Sequence, residues 1–431
     1  MANWVRAFLA EHPEYAALPV VRRARHSIHF LRPDGLIEAH FTGAPMHYLD
    51  ERGDWQPLDT ALREINGEYG APGVPVRITA QGASRILGGS YSQWTKRIGV
   101  FNAVTRSFAS LADIPAGRVQ DDHLISEGPY WRHELRLTET GLREALILQE
   151  LPPLYGASDE WLVLETLIHG HSLPKGWLNG EWQANGMRFP LPRAWDAKGD
   201  EAPCRRYAWT VAGQLYLYTG VPAAWLAQAA YPVVMDPDYV GHTADGVVAG
   251  ISTTYSTARS TATSYSTTTI RDAVGQELYS GYYGCYRVFL KFDTSGVPDA
   301  ATITQVNLRL TCVGDNSATD FDVQIVKQNW SGQDPLSGSN YDTAFDNCLS
   351  GTADSSIWRN TSGISVNTPY TSGNLSTTWP SKTGYTYYSL RSSRDKNNNT
   401  PSGLEFVRIA LAENGTEAYR PVLTVVYSLA G

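Results

Sequence analysis

The sequence lacks an apolar run of the about 18 residues that a membrane-spanning helix requires. Its first residues, Met-Ala-Asn-Trp-Val-Arg-Ala-Phe-Leu-Ala-Glu, carry charges at Arg6 and Glu11. These charges interrupt the continuous apolar stretch of a secretion signal. We therefore expect a soluble protein that is made in a cytoplasm and has no membrane partner.

The motifs of common catalytic sites are also missing. The chain contains no Gly-x-Ser-x-Gly, no His-Glu-x-x-His and no phosphate-binding loop. Carboxylates are numerous, but no spacing singles out the pair that glycoside hydrolysis requires. The sequence therefore names no catalytic residue, and we expect a protein that is not an enzyme, although missing motifs do not exclude one.

The sequence contains few cysteines, and its net charge is negative. Cys204, Cys285, Cys312 and Cys348 include no Cys-x-x-Cys pair that would indicate zinc. Because cytoplasmic thiols stay reduced, we expect free cysteines, although Cys285 and Cys312 adjoin neighbouring predicted strands and a pair between them stays open. The 35 Lys and Arg residues against 43 Asp and Glu give a net charge of −8. Nucleic acid is therefore not an expected partner.

Aromatic and turn-forming residues are abundant, with 24 Tyr, 13 Trp, 38 Gly and 24 Pro among 431 residues. This composition favours strands and turns over helices, and the length suits two to three domains. We expect an all-β protein with tandem β-sandwiches, a C-terminal jelly roll and a short N-terminal helix.

The N-terminal arm, residues 1–25, is predicted to contain that helix. Trp4, Val5, Phe8 and Leu9 recur at spacings of three and four, the pattern of an amphipathic helix. Such a helix either packs on its own domain or docks on a partner, and the sequence leaves both open.

The remainder divides into two β-rich segments. Residues 26–236 are predicted to form an attachment domain of one or two sandwiches, with a hairpin at Arg32-Pro-Asp-Gly35, since Pro and Gly favour the backbone angles of a tight turn. The composition then shifts to Gly, Ser and Thr. Residues 237–431 contain several alternating runs, among them 286–292 and 422–427, which predict a jelly-roll sandwich.

A long insert at residues 329–380 contains five Trp and Tyr residues in a segment without regular periodicity. Their flat rings are suited to stacking on sugar faces, while neighbouring amides bond the hydroxyls. The alternative is that the rings pin the loops to the sandwich. The candidate glycan-binding residues are Trp330, Tyr341, Trp358, Tyr370 and Trp379.

A short acidic series lies at the predicted domain junction and comprises Asp236, Asp238 and Asp245. Carboxylate oxygens are the ligands that Ca²⁺ prefers, but the spacing does not match an EF-hand loop. Aspartate at a junction also serves as a turn former. We therefore expect no cofactor, with a structural Ca²⁺ at these three residues as the alternative.

Two segments carry a resemblance to a known family. Arg287-Val-Phe-Leu-Lys-Phe-Asp-Thr-Ser, with the following Val297-Pro-Asp-Ala-Ala-Thr-Ile-Thr-Gln-Val-Asn-Leu-Arg-Leu, resembles the central signature of the DNRLRE domain. Tyr419-Arg-Pro-Val-Leu-Thr-Val-Val-Tyr is similar to the closing strand of that domain. Tyr48-Leu-Asp-Glu-Arg-Gly-Asp-Trp-Gln-Pro-Leu-Asp-Thr and Gly141-Leu-Arg-Glu-Ala-Leu-Ile-Leu give the N-terminal half a looser similarity to the β-rich region that precedes this domain in phage-encoded and cell-wall-associated proteins. The resemblance implies a carbohydrate-binding-like jelly roll for display or adhesion, and it fixes no binding residue.

Three functions are compatible with the sequence and the resemblance. The first is a non-catalytic virion structural protein of a bacteriophage, a capsid decoration or a tail or fibre component. The second is a bacterial surface or secreted adhesin that binds polysaccharide, and the third is a polysaccharide-active enzyme with a binding module. Because no export signal or catalytic pair is visible, we favour a homo-oligomeric protein at the virion surface. Its expected partners are other virion proteins and a host surface glycan.

Overall fold

A computed structural model describes residues 3–139, 141–153, 159–170, 173–178, 182–184, 187–189, 192–198, 200–236, 245–267, 271–412, 414 and 416–429. Strands account for 51% and helices for 12% of the structure, so the predicted all-β fold is confirmed. The chain forms two compact units, Met1–Leu58 with Thr243–Gly431 and Asp59–His242. In sequence, the second unit is inserted into the first.

The first unit begins with a helical segment that breaks at a proline. Helix α1 (Asn3–Glu11) ends two residues before Pro13, and a 3-10 helix (Pro13–Ala17) follows, since proline lacks the N–H that would continue the α-helix. The hairpin predicted at residues 32–35 joins β2 to β3, with Gly35 at a φ of 80°. The strands are β1 (Val20–Ala24), β2 (Ser27–Leu31), β3 (Ile37–Thr42), β4 (His47–Leu49) and β5 (Trp55–Pro57).

The second unit consists of short and medium strands with one helical turn. Its elements are β6 (Arg63–Ile65), β7 (Glu68–Gly70), β8 (Val76–Ile78), β9 (Ala83–Ile86), β10 (Ser92–Asn102), β11 (Ser107–Asp113), β12 (Arg118–Gln120), β13 (His123–Glu127), β14 (Trp131–Leu137), β15 (Leu142–Leu148), β16 (Glu160–His169), β17 (Gly176–Leu178), β18 (Trp182–Ala184), β19 (Met187–Phe189), β20 (Arg193–Trp195), β21 (Arg205–Val211), β22 (Gln214–Pro222), α2 (Ala223–Leu226) and β23 (Val233–Asp236).

Two main sheets of the second unit pack as a sandwich. The larger has the order β17-β21-β22-β16-β10-β9-β8-β7-β6 with β11 beside β10, and the smaller has the order β12-β13-β14-β15-β23-β20. Ile98, Leu162 and Leu164 from the larger sheet meet Leu146 and Val233 from the smaller one in a common apolar core. In β14 and β15 every second residue is buried, because successive side chains of a strand point to opposite faces.

The C-terminal part returns to the first unit and supplies most of its strands. Its elements are β24 (Asp245–Ser252), α3 (Tyr255–Ser260), β25 (Ser264–Ser266), β26 (Arg271–Tyr279), β27 (Tyr282–Asp293), β28 (Thr302–Ser317), β29 (Asp322–Val326), α4 (Tyr341–Ser350), β30 (Ala353–Asn360), β31 (Thr368–Thr371), β32 (Tyr385–Ser392), α5 (Ser393–Lys396), β33 (Leu404–Ala410) and β34 (Val422–Ser428), with 3-10 turns at Ser331–Gln333, Thr361–Gly363 and Glu417–Tyr419.

The first unit is a sandwich in which one long antiparallel sheet encloses an apolar core. The strand order is β1-β2-β3-β34-β28-β33-β26-β27-β32-β29-β30, with β24 beside β27 and β31 beside β28. Phe41, Leu290, Leu308 and Leu423 are among the buried residues that share this core. Helices α3 and α4 contribute Tyr255, Ala258 and Phe345, among others, to a second apolar cluster. The architecture is consistent with the predicted jelly-roll-like sandwich.

The pairing of β3 with β34 divides the chain differently from the predicted domain boundaries. Ile37 lies opposite Tyr427, and Phe41 is buried in the core of the first unit. The sequence assigned both β2 and β3 to a domain over residues 26–236, because alternation identifies a strand but not its partner. In the structure, residues 26–58 belong to the same compact unit as the C-terminal sandwich.

The structure also bears on two further expectations, the irregularity of the insert and the state of the cysteines. The insert at residues 329–380 is more regular than predicted, since it contains α4, β30 and β31. The four cysteines are free, as predicted. Burial raises the pKa of Cys285, Cys312 and Cys348, so these thiols stay protonated at neutral pH.

Of the helices in the described ranges, none is both long and apolar enough to span a bilayer.

Candidate functional site

One face of the larger sheet in the second unit carries a cluster of aromatic rings. Ile98 and Leu162 point into the sandwich core, so their neighbours in β10 and β16 point to the opposite face. We call the eight aromatic residues that cluster there the aromatic face. They are Phe101, Phe108, Trp161, Trp177, Tyr207, Trp209, Tyr216 and Tyr218.

Strand register brings these rings together from six strands, β10, β11, β16, β17, β21 and β22. Tyr207 lies opposite Tyr218, and Trp209 lies opposite Tyr216, across β21 and β22. Phe101 of β10 reaches the Tyr218 ring, with the two centroids 4.5 Å apart and the planes inclined by 9°. The rings therefore form a continuous aromatic layer and not a set of isolated side chains.

The aromatic face combines buried and half-buried rings. Phe101 and Tyr218 are 1% and 3% exposed, whereas Trp161, Trp177 and Trp209 are half-buried. The Trp161 and Trp177 centroids lie 4.6 Å apart. The buried rings thus support the tryptophans, which keep part of their ring surface exposed.

Two glycines allow the strands and rings to approach closely. A Cβ atom on Gly99 would lie 2.4 Å from the Phe108 ring and from the Ala109 carbonyl oxygen. A Cβ atom on Gly220 would lie 1.9 Å from the carbonyl oxygen of Leu162. Both distances are far inside van der Waals contact, so a side chain at either position would displace its neighbours.

An ion pair lies among the rings. The Arg97 guanidinium donates to both Glu165 carboxylate oxygens at 2.5 and 2.9 Å and lies 5.0 Å from the Phe108 ring centroid. Burial, followed by the nearby Glu165 carboxylate, raises the pKa of the Tyr218 phenol. Glu165 is therefore engaged by Arg97, and Tyr218 stays protonated at neutral pH.

Three exposed cations border the tryptophans. Arg106 and Lys175 lie 4.8 and 5.9 Å from the Trp209 ring centroid, and Arg205 lies 6.0 Å from that of Trp177. Across the ranges the structure describes, none of the three forms an ion pair or donates a side-chain hydrogen bond. Their N–H groups are available to a ligand.

The buried rings of the predicted glycan site pack inside the first unit. Trp330 is 2% exposed and donates its indole N–H to the Tyr388 carbonyl at 3.1 Å. Trp358 is 4% exposed and donates to the Tyr370 carbonyl at 2.8 Å. Neither ring offers a free face for stacking, so both support the alternative in which the rings pin the loops.

The other three predicted rings also make packing contacts. Tyr341 stacks on Tyr265 with centroids 5.1 Å apart, and the Arg359 guanidinium lies 3.9 Å from the Tyr370 centroid. Trp379 is half-buried and donates its indole N–H to the Tyr387 carbonyl at 2.8 Å. We therefore do not place a glycan site on these five residues.

Of the three predicted calcium ligands, the structure describes Asp236 and Asp245. Asp236 ends β23 in the second unit, whereas Asp245 begins β24 in the first unit and accepts a hydrogen bond from the Ala412 N–H at 2.6 Å. Asp238 lies outside the described residues. Where side chains are described, no three His, Cys, Asp or Glu residues form a group that could hold a metal ion.

A cleft of about 510 Å³ opens in the first unit between α1 and the sheet. Its acidic residues are paired: Glu11 with Arg309 at 2.7 Å, and Glu38 with Arg32 at 3.2 Å and with the Tyr15 hydroxyl. Trp4, Val5 and Phe8 are buried, so α1 packs on its own unit.

A weak signal for the aromatic face was present in the sequence. Tyr207-Ala-Trp209 and Tyr216-Leu-Tyr218 repeat aromatic residues at period two in consecutive predicted strands. Period two places both pairs on one side of a sheet. The strands β10, β11, β16 and β17 each contribute one ring to the aromatic face, so these rings show no period-two repeat. Their position beside the two pairs depends on strand order, which the sequence does not reveal.

The chain matches no family model and no curated protein. The resemblance to the DNRLRE domain therefore stays a prediction.

Proposed function

We propose that this chain is a non-catalytic glycan-binding protein and that the aromatic face of the second unit is its binding surface. The observation that carries the proposal is the layer of eight aromatic rings on the sheet face opposite the sandwich core. The apolar C–H faces of sugar rings pack on such flat surfaces, while Tyr hydroxyls and nearby amides bond the sugar hydroxyls.

The extent of the face suits a polysaccharide chain. Adjacent strands lie about 4.8 Å apart, so six neighbouring strands give a row of rings long enough for several consecutive sugars. Polar groups border it: the Tyr216 hydroxyl donates to the Gln214 side chain at 3.0 Å. Five of the eight rings are only partly buried, and such a row accommodates an internal stretch of a polymer.

The chemistry of the face supports binding without catalysis. Its buried carboxylate, Glu165, is held by Arg97, and the raised pKa of Tyr218 keeps that phenol protonated. Glycoside hydrolysis needs a carboxylic acid and a second carboxylate on either side of the bond to be cleaved. The described aromatic face supplies no such pair.

We propose further that the protein is displayed on a bacteriophage virion, as a capsid decoration or a tail or fibre component. This placement rests on the resemblance of the first unit to the DNRLRE domain. Cryo-electron microscopy of the native particle distinguishes it from a bacterial adhesin. Density on a phage head or tail supports the virion, and a chain bound only to cell-wall polymer contradicts it.

The glycan proposal is tested by removing half-buried rings. We expect Trp177→Ala and Trp209→Ala each to weaken binding to polysaccharide about tenfold or more, because each removes a large, partly exposed stacking surface from the row of rings. Affinity electrophoresis against a polysaccharide panel, and a glycan array, measure this loss. Circular dichroism confirms that the variants are folded.

The matched control removes an exposed aromatic ring elsewhere. Tyr279 is 66% exposed at the end of β26 in the first unit, and Tyr279→Ala is expected to leave binding unchanged. Equal effects of Tyr279→Ala and Trp209→Ala would rule out the aromatic face as the binding surface.

A further inference from the structure

We infer that the aromatic face selects an acidic polysaccharide, a polymer that carries carboxylate or phosphate groups along its chain. This inference rests on the proposed glycan-binding function. It adds the charge of the ligand, which the rings alone do not specify.

The first observation is that three cations at the aromatic face form no ion pair with any residue that the structure describes. Arg106, Lys175 and Arg205 are exposed and border the half-buried tryptophans at 4.8 to 6.0 Å. The chain as a whole has a net charge of −8. A cationic border on an acidic protein attracts a negatively charged ligand to this face.

The second observation is that these cations converge from distant parts of the sequence. Arg106 lies in the turn between β10 and β11, Lys175 lies just before β17, and Arg205 begins β21. Arg106 and Lys175 approach the same Trp209 ring. An anion bound beside that ring is attracted by both charges.

The third observation is that these three cations differ from Arg97, which also lies at the aromatic face. Arg97 forms a bidentate ion pair with Glu165, so its charge is already neutralised. The other three have no acidic partner among the residues described. Contact with an indole ring helps to order each of them and leaves N–H groups for carboxylate or phosphate oxygens.

The charge of the ligand is tested with matched polymers. Polygalacturonate and its fully methyl-esterified form share one backbone and differ in charge, and carboxymethyl cellulose and hydroxyethyl cellulose form a second pair. We expect the acidic member to bind about tenfold tighter by calorimetry at low salt. The difference should shrink as ionic strength rises from about 0.05 to 0.5 M, because salt screens exposed charges.

Variants then assign the effect to the aromatic face. The double substitution Arg106→Gln with Lys175→Gln is expected to bring the affinity for polygalacturonate close to that for the ester. Arg22→Gln with Arg23→Gln removes the same charge from exposed positions in β1 and should leave both affinities as they are. Equal losses in the two double variants would overturn the assignment.

The outcomes separate this inference from the proposed function. Equal binding of the acidic and neutral polymers, lost in Trp209→Ala, overturns the acidic preference and leaves glycan binding in place. Binding to no polymer of either pair contradicts both proposals. Poly(glycerol phosphate) that binds tighter than polygalacturonate supports the inference with phosphate as the anion. A single-stranded oligonucleotide that binds tighter than every glycan polymer overturns it.

Discussion

At the scale of one residue, Arg287 shows how a positive charge is compensated inside a buried strand. Its guanidinium is 0% exposed and donates to both Asp395 carboxylate oxygens at 2.8 and 3.0 Å. Two further N–H groups donate to the carbonyls of Phe345 and Arg259. Four hydrogen bonds therefore hold the charge, and removal of Asp395 would leave it buried and uncompensated.

We expect Asp395→Ala to lower the free energy of unfolding by about 3–5 kcal/mol. Urea denaturation of the variant and the parent chain measures this change. The control is Glu127→Gln, which breaks the exposed pair with Arg118 and should cost less than about 1 kcal/mol. A loss for Asp395→Ala no larger than that of the control would show that the buried pair contributes little.

At the scale of elements, the aromatic face depends on close packing of β10 against β11. Gly99 lies opposite Ser110, next to an irregularity in the register, and has room for no side chain beside the Phe108 ring. We expect Gly99→Ala to lower the free energy of unfolding by about 1–3 kcal/mol, because the added methyl group overpacks the site. Thermal unfolding measures the loss, and tryptophan fluorescence reports any shift of the rings.

Gly89 provides the control within the same unit. A Cβ atom there would meet Ile86 at an ordinary 3.6 Å, so Gly89→Ala should change the unfolding temperature little. If Gly99→Ala is equally silent, the close approach of β11 to β10 is not needed for the aromatic face.

Individual strands and turns were predictable from the sequence, but which strands pair with one another was not. The β2–β3 hairpin follows from its Pro and Gly residues, and the alternation in β14 matches its burial. Period two says which side of a strand is apolar but not which strand lies beside it. The sequence therefore missed the pairing of β3 with β34 and placed the candidate glycan site in the insert, where Trp330 and Trp358 pack in the core.

At the scale of the whole molecule, buried histidines make the first unit sensitive to acid. Burial lowers the pKa of His29 to about 3 and that of His47 to about 4, and it also lowers the pKa of His40. The unfolded chain therefore binds more protons than the folded chain below about pH 6.5, and stability falls as the pH falls. The loss is on the order of 2–3 kcal/mol for each of His29 and His47 by pH 4.

Chemical denaturation at pH 7.5, 6 and 5 tests this dependence. We expect the free energy of unfolding to decrease toward pH 5, and to decrease less in His47→Gln, whose amide retains a donor for the Ala24 carbonyl that His47 contacts at 2.8 Å. Identical pH dependence in parent and variant would show that His47 does not contribute.

The pairing of β3 with β34 also dictates an order of events during synthesis. The inserted unit, Asp59–His242, is complete before the ribosome reaches β34, so it can fold first. Until residues 422–428 emerge from the ribosome, the edge of β3 that pairs with β34 in the folded chain has no partner. This strand carries the apolar residues Ile37, Ala39 and Phe41. Exposed apolar edges invite pairing with other chains. A nascent chain that stalls in this interval is the species most in need of a chaperone.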